Sequence, residues 1–275
     1  MKLAARTRGS VLRRIEAMSV RTTARYWSMV PPDLARRLRP RHERVGDALL
    51  TFLPTSESLR MNRVIGLGHS ARAEESMIDE IVGRYRAAGI PRFGLLMSPG
   101  PQAESIAGWL MKRGFERGGG HMLLLRDGRD PVPRPRTAVR VVRAAARHAD
   151  SIMRIQEESF GMPVSRRAWV LAAMRSKVYE YSVALVGRTP VAAGAARVER
   201  GLLWLGAGAT LTRWRRRGAH AALIAARLRS ARRRGCRWAW VETAMPAPGR
   251  PDGSRRNLLR MGFEEICEKP GFVWR

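Results

Sequence analysis

The second half of the chain contains short segments in which apolar residues alternate with polar or small ones. YSVALVG and VAAGAARV show this period-two pattern and flank the turn residues Arg188-Thr189-Pro190, which predicts a β-hairpin. A second turn, Glu199-Arg200-Gly201, precedes LLWLGAGATL. The pattern therefore predicts three strands that follow one another as an antiparallel meander.

A strand and a helix are predicted before the meander. The short segment from Val139 to Val142, in which three of the four residues are valine, indicates the strand. In the segment that follows, Ile152, Ile155 and Phe160 lie about one helical turn apart, which is the spacing of one helix face.

Helices and strands alternate after the meander. Ile224, Leu228 and Ala231 form an apolar stripe among arginines, and Gly235 stands where a helix ends. CRWAWVET then predicts a strand, SRRNLLRMGF a helix, and EEICEKPGFVWR a final pair of strands. The predicted order of this half is β-α-β-β-β-α-β-α-β.

The first half repeats part of this design. Ile106 to Arg126 and Arg255 to Arg275 both place an apolar helix before a Gly-Phe pair and a strand, with Gly114-Phe115 matching Gly262-Phe263. Upstream, AEESMIDEIVGRYRAAG predicts a helix and IPRFGLLMSP a strand. We therefore predict an α/β fold with mixed sheets, built from two related units in tandem.

A proline-rich segment separates the two halves. In RDGRDPVPRPRT the prolines at 131, 133 and 135 alternate with polar residues, and such a segment joins neither a helix nor a central strand. We predict an N-terminal domain at 1–127, a linker at 128–136 and a C-terminal domain at 137–275. An apolar content of 45% over 275 residues is enough for two small cores.

The chain is strongly basic. It has 52 lysines and arginines against 23 acidic residues, a formal charge of +29, so a positive potential surrounds it and favours an anionic partner. Almost all of the basic residues are arginines, spread along the chain. A GC-rich genome would produce the same bias without a selected partner, and both explanations stay open.

Cysteine content and hydropathy favour a cytoplasmic protein. Cys236 and Cys267 lack metal-ligand spacing and form no secretory framework, so we expect unpaired thiols and no metal site. The sequence has no signal-peptide core and no apolar run of bilayer length.

An arginine-rich loop connects the last meander strand to the next helix. It consists of Arg215, Arg216, Arg217, Gly218, Ala219 and His220. The first N–H groups of a helix have no intrahelical partner, and the helix dipole makes that end positive, so a phosphate binds there readily. Glycine lets the backbone approach closely, and the loop is therefore a candidate phosphate site.

This loop resembles the pyrophosphate loop of the GNAT superfamily of N-acetyltransferases, whose pattern is Gln/Arg-x-x-Gly-x-Gly/Ala between a strand and a helix. Arg215 matches the first position and Gly218 the central glycine, whereas His220 departs from the usual Gly or Ala. The element order of the second half and the Gly262-Phe263 pair after the last helix also match the superfamily.

The resemblance implies an acetyl-CoA-dependent N-acetyltransferase, in which a primary amine attacks the thioester directly. It implies that the amides of the loop hold the pyrophosphate and that Thr210 and Leu211, at the end of the preceding strand, line the thioester. The first half offers Gly66 and Gly68 but no Arg-x-x-Gly, which indicates a degenerate GNAT-like domain without cofactor.

Acetyl transfer to an amine needs a neutral nucleophile and a proton for the departing thiolate. Many superfamily members supply the proton from a tyrosine four residues before the glycine of the Gly-Phe pair, where this chain has Leu258. Asn257 is the candidate to hydrogen-bond the pantetheine or the sulfur, with Ser254 on the same helix face. Ser254 is equally suited to be the N-cap of that helix.

Glu242 is the candidate base. It shares a strand face with Trp238 and Trp240, and burial beside apolar surface would raise the pKa of its carboxyl. Glu157 and Glu158 precede the loop where the superfamily usually meets its acceptor. Each of these carboxylates also has a purely structural interpretation.

Two other functions stay open. The arginine surface would suit a protein that binds nucleic acid without sequence preference, although the chain has no helix-turn-helix, zinc module or RNA-binding motif. The missing tyrosine would suit an acyl-CoA-binding protein without catalysis. The acceptor amine and the oligomeric state do not follow from the sequence.

Overall fold

The chain divides into two compact units. The computed structural model describes residues 5–161, 166–245 and 252–275. Unit 1 comprises Met1–Met122 together with Cys267–Arg275, and unit 2 comprises Leu123–Ile266.

Unit 1 begins with two helices and three strands and then alternates helices with strands. The helix and strand predicted around residues 73–99 are present as α3 and β4. Its elements are α1 (Ala5–Trp27), α2 (Pro32–Leu38), β1 (Arg41–Val45), β2 (Ala48–Phe52), β3 (Arg63–Ile65), α3 (Ser76–Ala87), β4 (Phe93–Leu96), α4 (Ala103–Lys112) and the first part of β5 (Glu116–Asp127).

The sheet of unit 1 has the order β1-β2-β3-β4-β11-β5, in which β11 (Glu264–Trp274) comes from the C-terminus. Strands β3 and β4 run parallel, and β2 is antiparallel to β1 and β3. On one face Tyr85 of α3 stacks on Phe93 of β4 with ring centroids 3.8 Å apart, and Phe115 meets Phe93 edge-on. The first Gly-Phe pair therefore contributes its aromatic ring to the core.

The C-terminal segment differs from its predicted form. Residues 264–274 form the single long strand β11 instead of a pair of strands. Its end pairs antiparallel with β4, with Gly271 opposite Leu96 and Trp274 opposite Phe93. Because of this long-range pairing, residues 267–275 belong to unit 1, whereas the sequence placed them in the domain 137–275.

Unit 2 contains the predicted meander and the helices around it. The helix α6 has no counterpart in the predicted order. The elements are β6 (Arg140–Arg143), α5 (Ala149–Phe160), α6 (Arg167–Arg175), β7 (Glu180–Val186), β8 (Thr189–Glu199), β9 (Leu202–Thr210), α7 (Ala219–Arg233), β10 (Trp238–Ala244) and α8 (Gly253–Arg260).

The meander is confirmed. Strands β6, β7, β8 and β9 are antiparallel neighbours, and β10 adds to β9 in parallel. The first turn is shifted from its predicted place, because Val186 already pairs with Thr189 and the turn lies at Gly187 and Arg188. Gly187 has φ of +58°, which suits a two-residue hairpin turn.

One predicted core position lies outside the core. Ile152 and Ile155 of α5 are fully buried, as their spacing predicted, but Phe160 at the end of the helix is 40% exposed. The apolar stripe of α5 therefore ends one turn before the helix does.

After its additional first strand β6, unit 2 follows the element order of unit 1, which is two helices, three strands, a helix, a strand, a helix and a strand. In unit 2 the last strand of this series is the start of β11, residues 264–266. The predicted mixed α/β class is confirmed. No disulfide joins Cys236 to Cys267. Among the described residues, no helix combines the length and hydropathy needed to cross a bilayer.

A buried ion pair links the first helix of unit 1 to its last strand. The ammonium of Lys269 donates to Oε1 of Glu16 on α1, and both side chains are 2% exposed. Ser98 donates to the other carboxylate oxygen at 2.9 Å. A buried pair of this kind is costly to break, because the partner that remains is an uncompensated charge.

We expect Lys269→Met to lower the free energy of unfolding by about 3–5 kcal/mol, measured by urea denaturation. Arg36→Met is the matched control. It breaks the pair between Arg36 and Asp33, whose side chains are 75% and 92% exposed, and such pairs contribute about 0–1 kcal/mol. Equal effects of the two substitutions would contradict this role of Lys269.

Candidate functional site

Strands β9 and β10 of unit 2 separate part-way along their length. Their parallel ladder pairs Trp238 with Leu202 and ends where Trp240 lies opposite Trp204. Both strands continue past this point, β9 to Thr210 and β10 to Ala244. Beyond the end of the ladder, β9 therefore directs backbone polar groups toward the gap and not toward β10.

A β-bulge lies in the separated part of β9. Its register with β8 shifts by one residue between Ala209 and Gly206, and Ala207 has φ of +50°. A bulge of this kind redirects the side chains and backbone groups around it. A Cβ added to Gly208 would lie 2.8 Å from Nε2 of His220, so the absence of a side chain lets the imidazole approach the strand.

The loop after β9 leads into the N-terminus of α7, which has no side-chain cap. Arg216 and Gly218 have φ of +63° and +79°, and α7 has no side-chain cap at Gly218. The first N–H groups of the helix are therefore left for water or a ligand. The dipole of this 15-residue helix adds positive potential there.

The space beside Gly218 is filled by the protein itself. A Cβ at this position would lie 2.8 Å from Cβ of Thr137, and the Thr137 hydroxyl donates to the carbonyl of Arg217 at 2.8 Å. Glycine is thus required by the positive φ and by the packing of residue 137.

The gap, the loop and α8 enclose a cleft of about 950 Å³. The described residues that line it include no carboxylate, so the cleft favours an anion. Six arginines line it: Arg134, Arg136, Arg215, Arg216, Arg256 and Arg260.

Three buried polar atoms at this cleft have no hydrogen-bond partner among the described residues. They are Oγ of Ser159, Oγ1 of Thr210 and Nε1 of Trp214, and all three residues line the cleft. Buried polar groups in native proteins are nearly always bonded. Their grouping is the pattern expected where a ligand completes the hydrogen bonding.

His220 and Asn257 meet across the cleft. Nδ2 of Asn257 lies 3.2 Å from Nδ1 of His220. Burial and the nearby charge of Arg227 lower the pKa of His220 from 6.5 to about 4, so the imidazole is neutral at pH 7. With Nδ1 accepting from Asn257, the proton resides on Nε2, the atom close to Gly208.

Arg227 on α7 stabilises the bulge through hydrogen bonds to backbone carbonyls. This side chain is 4% exposed and donates to the carbonyls of Ala195 at 2.7 Å, Leu223 at 3.0 Å and Gly206 at 3.3 Å. Burial lowers its pKa to about 10, and the guanidinium remains protonated at pH 7. It holds β8, β9 and α7 together at the bulge.

Comparison with solved structures shows the fold. The GCN5-related N-acetyltransferase from Kribbella flavida has a TM-score of 0.66 and 18% identity, with 96% of this chain and 95% of that chain covered. A tandem GNAT protein from the clavulanic acid biosynthesis pathway has a TM-score of 0.63 and 13% identity, with 84% and 80% covered.

This chain has the tandem GNAT fold. A GCN5-related N-acetyltransferase from Sphaerobacter thermophilus has a TM-score of 0.61 and 15% identity, with 82% of this chain and 80% of that chain covered. No family model matches the sequence, and no curated protein matches it. At these identities the comparisons establish the architecture alone.

Most of the loop residues predicted to bind a cofactor line one cleft of the GNAT fold. Two that do not are Leu211, which is 2% exposed, and Arg217, whose guanidinium lies 4.8 Å from the ring of Trp214. The predicted residues at the cleft are Thr210, Arg215, Arg216, Gly218, Ala219, His220, Ser254 and Asn257.

The N-cap of α8 is Asp252 and not Ser254, which the sequence suggested as an alternative. Asp252 is the N-cap of α8, and its carboxylate accepts the N–H of Arg255 at 2.9 Å. Ser254 is therefore not the cap, and it lines the cleft beside Asn257. Leu258, where the resemblance to the superfamily would lead us to expect a tyrosine, is 2% exposed.

The candidate carboxylates lie apart from the lining residues described for the cleft. Glu242 is half-buried on β10, and Glu157 is exposed on α5. Glu158 accepts the N–H of Thr212 at 2.6 Å, and this hydrogen bond lowers the pKa of its carboxyl. Glu158 thus anchors the loop as an ionised acceptor.

Sequence reasoning missed one wall of the cleft. Arg134 and Arg136, from the predicted linker, and Phe160 line it together with the loop. The signal available in the sequence was the alternation of arginine with proline in PRPR. It indicated an extended segment and not what that segment packs against.

His220→Gln tests the titration of the cleft histidine. Because the pKa of folded His220 is about 4, below 6.5, the unfolded chain binds the proton first as the pH falls. The stability that the neutral imidazole contributes is fully present above about pH 6.5 and is lost as the pH falls toward 4.

We therefore expect the difference in unfolding free energy, wild type minus variant, to decrease as the pH is lowered from about 6.5 to about 4. The slope is at most about 1.4 kcal/mol per pH unit, measured by urea denaturation at a series of pH values. The other titrating groups cancel in the difference. A difference that does not change with pH would overturn the assignment of a neutral, buried imidazole.

Proposed function

We propose that this protein is an acetyl-CoA-dependent N-acetyltransferase that transfers an acetyl group to a primary amine by direct attack on the thioester. The observation that carries the proposal is the separation of β9 and β10, which opens onto the uncapped N-terminus of α7. A polyanion with a long polar arm fits this arrangement. The tandem GNAT fold supports the same conclusion.

The residues of the cleft suit each part of acetyl-CoA. The N–H groups from Arg216 to His220 and the guanidinium of Arg215 would hold the pyrophosphate. The unpaired edge of β9 would bond the amides of pantetheine as a ladder partner does. The hydroxyl of Thr210, at the end of β9 and without a hydrogen-bond partner among the described residues, would line the thioester.

Acetyl-CoA supplies an activated acyl group, and the protein must stabilise the thiolate that departs. With Leu258 in place of the family tyrosine, we assign this part to the pair of His220 and Asn257. Asn257 fixes the tautomer of the neutral imidazole, and Nε2–H then donates toward the cleft at Gly208. Asn257 and Ser254 are the uncharged polar residues of α8 that line the cleft and would face the ligand.

Glu242 stays our candidate for the base that neutralises the amine, because it lies on β10 two residues past the last pair with β9, where the strands have separated. It does not line the cleft described above, so the amine would have to approach from the β10 side of the gap. Glu158 is a poor alternative, because its carboxylate is already bonded to Thr212 and its pKa is lowered. A cytoplasmic location belongs to this proposal as well, since acetyl-CoA and reduced thiols are found together there.

A second function is favoured by one observation. Leu258 is buried where the proton donor of the family would stand, which suits an acyl-CoA-binding protein without turnover. The two functions differ in a single measurement, the release of CoA in the presence of an amine.

The binding experiment removes charge from the loop without touching the glycine. Gly218→Val is unsuitable, because a side chain there would meet Thr137. We expect Arg215→Gln/Arg216→Gln to raise the Kd of acetyl-CoA at least tenfold, since two charge-assisted contacts to phosphate are lost. Isothermal titration calorimetry at a fixed moderate salt concentration measures this.

The matched control is Arg229→Gln/Arg233→Gln, which removes the same charge from two exposed positions farther along α7. Its Kd should stay within about twofold of wild type, because separated surface charges are screened by salt. A DNA duplex measured in parallel addresses the nucleic-acid alternative. If the duplex binds, acetyl-CoA does not, and salt removes the binding, the acetyltransferase proposal fails.

Turnover is tested with Asn257→Ala in an assay that follows free CoA thiol over a panel of primary amines. We expect kcat to fall about tenfold to a hundredfold, with a smaller change in the Kd of acetyl-CoA, because the hydrogen bond matters most when charge develops on sulfur. Arg229→Gln/Arg233→Gln should leave kcat unchanged. Tight binding of acetyl-CoA by wild type without CoA release for any amine would favour the non-catalytic function.

A further inference from the structure

The predicted linker forms part of the cleft. Residues Pro133, Arg134, Pro135 and Arg136, here called the Pro-Arg segment, line it beside the arginine loop. Proline fixes φ and removes an N–H group, so a segment in which every second residue is proline is stiff and extended. The two arginines alternate with the prolines, so their backbone positions along this wall are restricted.

The Pro-Arg segment is fastened to the loop at its end. Thr137, the next residue, donates its hydroxyl to the carbonyl of Arg217 at 2.8 Å and accepts the N–H of Val139 at 3.2 Å. The carbonyl of Arg136 lies 3.5 Å from the position of a Cβ at Gly218. The segment therefore packs against the start of α7 and its position is defined relative to the loop amides.

The arginines of this segment are available to a ligand. Both Arg134 and Arg136 are exposed, and within the described ranges neither forms an ion pair with a carboxylate. Arg129, a few residues earlier, is in contrast bonded to Asp127 at 3.1 Å. Two guanidinium groups without a carboxylate partner therefore line a cleft in which none of the described lining residues is acidic.

The order of features along the cleft indicates which part of a ligand would lie against these arginines. The bulge of β9 faces the thioester end and the α7 N-terminus takes the pyrophosphate in the proposed function. The Pro-Arg segment packs on the loop, next to the pyrophosphate position. The group of CoA that extends beyond the pyrophosphate and carries charge is the ribose 3′-phosphate.

We propose that Arg134 and Arg136 form a subsite for the 3′-phosphate of CoA, so that the Pro-Arg segment selects CoA thioesters over their dephospho forms. This inference rests on the proposed function, because it assumes an acyl-CoA in the cleft. Arginine suits the role, since its planar fork donates two hydrogen bonds to one phosphate.

The experiment compares two ligands that differ in this phosphate alone, acetyl-CoA and acetyl-dephospho-CoA. Their Kd values are measured by calorimetry at constant ionic strength for wild type, for Arg134→Gln/Arg136→Gln and for the control Arg229→Gln/Arg233→Gln. Both substituted pairs are exposed, so all three proteins are expected to fold, and circular dichroism verifies this.

We expect wild type and the control to bind acetyl-CoA at least tenfold more tightly than acetyl-dephospho-CoA. In Arg134→Gln/Arg136→Gln this ratio should fall to about one to three, while the Kd of acetyl-dephospho-CoA changes by less than about twofold. The change is thus confined to the ligand that carries the phosphate.

Three results would overturn the subsite. In the first, the ratio of the two Kd values stays high in Arg134→Gln/Arg136→Gln, which would place the phosphate elsewhere, such as at Arg256 and Arg260. In the second, the control loses the ratio equally, which would make it an effect of the overall field. In the third, the variant weakens both ligands alike, which would place the segment at another part of CoA. If wild type binds neither thioester, the proposed function fails as well.

Discussion

The cleft of unit 2 depends on the point at which two parallel strands stop pairing. Past Trp204 and Trp240 the strands β9 and β10 no longer bond to each other, and a sheet interior becomes a surface with free backbone groups. The rings of Trp204 and Trp240 lie 6.5 Å apart at the last pair, and Arg227 holds the bulge that follows. A sheet that continued to pair here would leave no room for a ligand.

Unit 1 shows what the same order of elements gives without this separation. Its parallel strands β3 and β4 pair through Ile65 and Leu96, the last residues of both strands. Asp47, in the turn between β1 and β2, accepts with its carboxylate three N–H groups of the loop after β3, those of Gly68 at 3.0 Å, Ser70 at 2.8 Å and Ala71 at 3.0 Å. These hydrogen bonds and one from His69 outweigh burial and lower the pKa of Asp47. The amides that would face an anion are thus already bonded to a charge of the protein's own, which supports the hypothesis that this unit lost its ligand.

The arginines of this chain have several distinct environments. Arg126 and Arg227 are buried and donate to backbone carbonyls. Arg113 binds Asp79 and Glu75 on α3 and at its start, and a third group lines the cleft of unit 2. A GC-rich genome could explain why the chain contains many arginines, but it does not explain these specific contacts. The positive character of the cleft therefore follows from its own lining, in which the described residues include six arginines and no carboxylate, more directly than from the net charge of +29.

The sequence by itself determined the elements whose residues contact near neighbours. The period-two runs of the meander and the turn at Arg200 and Gly201 needed little more than local propensity and pairing between adjacent strands. The arginine loop before α7 was equally readable, because a helix N-terminus is a local feature. The tertiary structure decided what lies opposite these elements. The approach of Thr137 to Gly218, the contact of Asn257 with His220 and the pairing of β11 with β4 join residues far apart in the chain. A one-dimensional pattern records which face of an element is apolar, but not which distant segment covers it, and the cleft is made of such distant pairs.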